Sequence, residues 1–136
     1  MKHRLIYVEL KSGHGDRGPA WIGYGEYSKS GRTVYFNDQA FQSGKGRGIG
    51  NFHDLESGEG YWISGIKREG GDRHWAGGGI ISVDRDALDD YLALRDFTEL
   101  NPRRYKVCSL RKGNIKERIQ SLENQEAEHV VGGNGG

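Results

Sequence analysis

His53 and Asp54 stand side by side in this chain, and Asp72, Arg73 and His74 follow within one short run. Two imidazoles that titrate near neutrality, with carboxylates beside them, can hold a metal or run acid–base chemistry on a phosphodiester. Arg73 or Lys67 would then hold the anion. Neither HExxH nor HxxxH occurs, so one helix face does not bring the histidines together. They meet only if strands carry them to one place. The competing reading is structural: Asp72 and Arg73 as a local turn pair, and His74 at a hairpin end. The candidate catalytic residues are therefore His53, Asp72, Arg73 and His74, and no metal site is expected.

A second constellation is suited to binding. The loop GKGRGIG, residues 44–50, offers Lys45, Arg47 and glycine-rich backbone amides that can cradle an anion. It is neither a Walker loop nor a GxGxxG turn. Trp62 and Trp75 are large aromatics that can stack bases or clamp a peptide. Trp21, Tyr24, Tyr35 and Tyr61 belong to the same aromatic set, of which at least half should be core. Lys45, Arg47, Trp62 and Trp75 are the candidate ligand contacts.

Composition bounds what can position these groups. The 136 residues suit one domain with a tail, and 34% apolar content with 23 glycines points to a small core and many turns. Net charge is +1, so no global field draws the protein to nucleic acid or membrane. Residues 1–49 nevertheless hold eight Lys or Arg against four Asp or Glu, which allows a local basic patch. Cys108 is the only cysteine, so one chain forms no internal disulfide and no Cys-based zinc site. The first residues, MKHRLIYVELKSG, show no signal-peptide run, and no segment approaches a membrane span. A cytoplasmic protein with no cofactor and no membrane partner is the expectation.

Runs rich in β-formers and bounded by turn residues predict strands over 5–10, 21–27, 32–36, 52–55, 61–67, 73–83 and 105–108. Residues 40–42 extend the third run past a bulge near Asn37 and Asp38. Gly23 and Gly25 share a face with Trp21 and Tyr27, so that face can bend or admit a neighbour closely. Residues 84–94 change to helical spacing, with Asp84 as N-cap and Leu88, Tyr91 and Leu92 on one side. Tyr61 to Lys67 reads as a central strand, flanked by the strands from Phe52 and from Arg73. Ile63 and Ile66 would then be structural, with Trp62 joining them. Beyond residue 110 the chain is polar, with a weak helix through Ile115, Ile119 and Leu122 and a disordered glycine-rich end. The fold expected is mainly β (α+β): a small antiparallel curled sheet or barrel of five to six strands, one packed helix and a polar C-terminal tail. Residues 1–110 form the domain and 111–136 the tail.

The segments KSGRTVYFNDQAF, GNFHDLESGEGYWISGIK and DRHWAGGG resemble a family of short bacterial proteins of uncharacterised function. The likeness covers residues 5–105, and YWISG and DRHWAG are its most specific words. Some chains of this kind are labelled deoxyxylulose-phosphate synthase. That label fails physically, because a thiamine-diphosphate enzyme is far larger and carries a GDG-type metal motif that is missing here. The resemblance implies no activity and no catalytic residues. The expectation is a small binding module for a protein or a nucleic acid. The alternative is a small hydrolase or phosphodiesterase using His53 and His74.

Overall fold

A computed structural model describes residues 2–15, 17–44, 49–69 and 79–122. Six strands come first: β1 (Lys2–Leu10), β2 (Ala20–Tyr27), β3 (Thr33–Phe36), β4 (Gln39–Ser43), β5 (Phe52–Asp54) and β6 (Gly60–Gly65). Each pairs antiparallel with the next, and β1 also pairs with β6, so the sheet closes into a barrel. Closure removes the open edges that a six-stranded sheet would otherwise expose.

Period-two alternation assigns the barrel faces. Ile6, Val8, Val34, Phe36, Phe41, Tyr61 and Ile63 point inward and form one buried cluster. Each aliphatic or Phe side chain removed from water this way is worth about 1.5–3 kcal/mol. The Phe41 and Tyr61 rings meet edge to face, with centroids 4.7 Å apart. The interior is thus filled by side chains.

Two further strands extend the sheet. β7 (Ile81–Asp84) runs parallel to β2 along Ala20 to Ile22, and β8 (Tyr105–Cys108) runs parallel to β7. The expected antiparallel barrel is thus present in the first six strands, and β8 lies parallel to β7 because a helix connects them and returns the chain to the same end. That helix, α1 (Leu88–Arg95), follows a 3-10 turn at Arg85–Ala87. It covers the outer wall, where Tyr7, Ala20, Ile22, Ile81, Val83, Tyr91 and Tyr105 form a second buried cluster.

Local expectations fail where tertiary partners outbid local ones. Asp84 makes no side-chain cap to the helix; its Oδ1 accepts instead from the Leu110 N–H at 3.3 Å. Asn37 and Asp38 form a two-residue hairpin turn rather than a bulge, each at positive φ (53° and 56°). Among the described residues β6 pairs with β5 at Gly60 and Tyr61 and with β1 along Tyr61 to Gly65. The strand expected from Arg73 lies, up to residue 78, outside the described residues.

The segment after residue 110 is anchored to the barrel. Residues 115–122 form a second helix, α2. Asp38 Oδ1 accepts from the Ile115 N–H at 3.1 Å, and Asn37 Oδ1 from the Arg111 N–H at 2.7 Å. Lys116 pairs with Glu26 at 2.8 Å and Arg118 with Glu56 at 3.2 Å. Ile115 is buried, whereas Leu122 is exposed. Among the described residues, no helix is long and apolar enough to cross a membrane.

Candidate functional site

His53 lies on β5 opposite Gln42 and Gly60, on the outer wall. Its Nδ1 stands 3.0 Å from the Gly44 carbonyl oxygen. A carbonyl only accepts, so Nδ1 carries the proton, and the ring ties the β4 end to β5. Asp54 is buried and committed to the next turn. Its Oδ1 accepts from the Glu56 N–H at 3.1 Å, and its Oδ2 from Ser57 Oγ at 3.0 Å and Gln39 Nε2 at 3.2 Å. Asp72, Arg73, His74, Trp75, Lys45 and Arg47 lie outside the described residues. Whether the two histidines share an atom is therefore not part of this geometry. Among the described residues, no three His, Cys, Asp or Glu side chains form a metal-binding group.

Trp62 does not join the core. It sits on the outer wall with 43% of its surface exposed, while Tyr61 and Ile63 face inward. A strand with apolar residues on both faces leaves open which face is covered, and α1 covers the β1–β2–β7 part of the wall rather than the far side of β6. Trp62 pairs in register with Glu9.

Glu9 is a site residue that the sequence reading missed. It is only 1% exposed. Tyr7 donates its hydroxyl to Glu9 Oε1 at 2.5 Å, and Lys11 Nζ lies 2.9 Å from Oε2. The signal was present as YVELK, because alternation places Tyr7, Glu9 and Lys11 on one face. A buried carboxylate persists when it is paired and hydrogen-bonded, as here.

The larger omission is a seam in the barrel. β2 pairs with β3 only at Glu26 and Tyr27, then leaves it for β7 at Ala20 to Ile22. Leu110 fills the gap. A Cβ on Gly23 would stand 2.6 Å from Leu110 Cδ1 and 3.3 Å from the Phe36 ring, so the missing side chain is what admits Leu110. The expectation that this face admits a close neighbour is met. Trp21 lies beside the gap, packed against the inner core cluster yet only partly buried.

Trp21 separates two concavities. One, of about 390 Å³, is lined by His14, Arg17, Pro19, Ser82 and Lys106. The other, of about 580 Å³, is lined by Asn37, Asp38, Gln39, Cys108, Arg111 and Arg118, among others. Both volumes fall in the range of about 300–1,000 Å³ typical of ligand sites. Burial pushes the Cys108 thiol above its ordinary 9.0; Asp84 adds to the rise, and Lys106 opposes it. Cys108 is thus mainly a neutral thiol near pH 7 and is a poor nucleophile there.

Arg103 and Arg104 precede β8, Lys106 lies on it and Arg111 follows it, and all four are exposed. None of them forms a salt bridge with another described residue, whereas Lys112, Lys116 and Arg118 do. The signal was legible: Asn101 to Lys116 hold six basic and no acidic residues.

Comparison with known proteins finds no relative: no family model matches the chain, and no curated protein or solved structure is significantly similar to it.

Proposed function

We propose that the protein is a small cytosolic binding module whose partner is a nucleic acid, engaged along the β8 side. The observation that carries this reading is the set Arg103, Arg104, Lys106 and Arg111. Four exposed cations around one edge strand, without acidic partners among the described residues, keep their charge available for phosphates. Trp21 lines one concavity with Lys106 and another with Arg111, and is backed by the core. A lysine on an edge strand also blocks edge-to-edge aggregation. That role accounts for Lys106 and leaves the other three without a reason. The lone cysteine agrees with a reducing compartment.

A catalytic reading finds less support among the described residues. Asp54 is held by three donors, Asp38 caps α2, and the Cys108 thiol is pushed up in pKa. Arg17 is a further exposed cation, in the concavity that Lys106 also lines.

The test is binding of a labelled oligonucleotide followed by fluorescence anisotropy over a series of salt concentrations. Affinity should fall steeply with salt. Each phosphate contact on a single strand contributes a slope of about 0.7 in log K against log salt. Lys106→Gln and Arg111→Gln should each flatten the slope by about that amount. Binding that ignores salt, or slopes that these changes leave alone, would overturn the reading.

A further inference from the structure

We infer that the 580 Å³ concavity behind Trp21 is a pocket for one unstacked base of a single strand, and that it prefers a base carrying an exocyclic amino group. This rests on the nucleic-acid reading above and specifies the form of the partner. Three observations carry it.

The first is the platform. Trp21 packs on the inner core cluster while also lining the concavity, so the indole is supported from behind and reachable from the front. A supported aromatic face is what a base stacks on, whatever its identity. In a duplex the bases are already stacked on each other, and none is available to enter a concavity.

The second is the lining. Asn37, Asp38, Gln39 and Ser109 present polar groups on the walls. Asn37 Oδ1 is engaged by the Arg111 N–H, and Gln39 Nε2 by Asp54 and Tyr61. Asp38 uses Oδ1 to cap α2, and its Oδ2 makes no hydrogen bond to another described residue. Glu56 likewise gives one oxygen to Arg118. Free carboxylate oxygens accept only, so they match the amino group of cytosine, adenine or guanine. Thymine and uracil carry no such donor.

The third is the division of charge. Asp38, Asp54 and Glu56 line this concavity together with Arg111 and Arg118, of which Arg118 is paired with Glu56. Arg17 and Lys106 line the other, which has no acid among its described lining residues. Arg111 follows β8 in the chain. A strand whose phosphates follow the β8 cations can turn a base toward the acids without bringing a phosphate near them.

The experiment uses the full chain and equal-length labelled oligonucleotides: all-cytosine, all-thymine, an abasic sugar–phosphate strand, and a cytosine–guanine duplex. The cytosine strand should bind about tenfold or more tighter than the abasic strand and the duplex, and tighter than the thymine strand. Trp21→Leu should remove the advantage over the abasic strand and leave the salt slope unchanged. Trp21→Phe should keep most of it. Asp38→Asn, which retains a capping oxygen, should erase the preference for cytosine over thymine. Equal binding of cytosine, abasic and duplex ligands, with a normal salt slope, would overturn the pocket and leave the nucleic-acid reading standing. Failure of every ligand to bind would overturn both. The abasic comparison needs only the wild-type protein, so a variant that does not fold does not rescue the inference.

Discussion

Glu9 shows how much one buried charge can ask of its neighbours. It lies next to the C-terminal end of β1 on the wall side, between Ala20 of β2 and Trp62 of β6 in register. Tyr7 supplies a hydroxyl and Lys11 a cation, and both are themselves largely buried. Taking Glu9 away removes a hydrogen-bond acceptor from Tyr7 and a counter-charge from Lys11 in a medium that disfavours bare charge. Glu9→Ala should therefore lose about 3–5 kcal/mol, read from the denaturant midpoint. The double change Glu9→Ala with Lys11→Met should recover part of that loss, since it also removes the buried ammonium that Glu9 neutralised. A Glu9→Ala protein as stable as the parent would mean that the wall hydrates and that Glu9 is a surface residue in practice.

At the scale of elements, the chain shows which features of a sequence travel and which do not. The alternation of Ile6 and Val8 against Tyr7 and Glu9 is written in β1, and Ile63 sits at the buried phase of β6 as its pattern demands. Trp62 was misread because YWISG is apolar at both phases, and its covering depends on where α1 lies, which no residue of β6 encodes. Asp84 holds an N-cap's position before a helix, yet its side chain makes no cap. Its oxygen was taken by Leu110, 26 residues later. The same non-local logic made the polar segment after residue 110 look detached. α2 gets its N-terminal acceptor from Asp38 in a different hairpin, and its side-chain anchors from β2 and the turn after β5. Asp38→Ala should remove the cap and also place a Cβ-bearing residue without a compensating hydrogen bond at positive φ. The cost should be about 0.5–2 kcal/mol for the cap alone. Hydrogen exchange should quicken across residues 115–118, while β3 and β4 stay protected. Asp38→Asn should restore protection, because Asn caps and tolerates left-handed backbone. Unchanged exchange in Asp38→Ala would show that Lys116 and Arg118 hold α2 unaided.

For the whole molecule, the decisive feature is that β1 and β2 are shared. Ile6 and Val8 belong to the barrel interior, and Tyr7, between them, belongs to the cluster under α1. Val8 pairs with Trp21 and Tyr7 with Ile22, so each core is built on the other's reverse side. The barrel and the α1 layer therefore cannot melt separately without one of them losing a wall. A single cooperative transition follows, with tryptophan emission and far-ultraviolet dichroism coinciding. Phe41→Ala, deep in the barrel, should destabilise by about 3–5 kcal/mol, and Ile81→Ala, in the α1 layer, by about 2–5 kcal/mol. Both residues are buried, yet they lie in different clusters. Each change should lower the midpoint of the same transition for both probes. If Phe41→Ala split the melt, leaving a dichroism step at the parent's temperature, the α1 layer would be an independent unit. The seam beside Trp21 would then be a hinge between two bodies. A single shifted transition makes it a fixed cleft, whose floor and walls move together, as a rigid stacking platform requires.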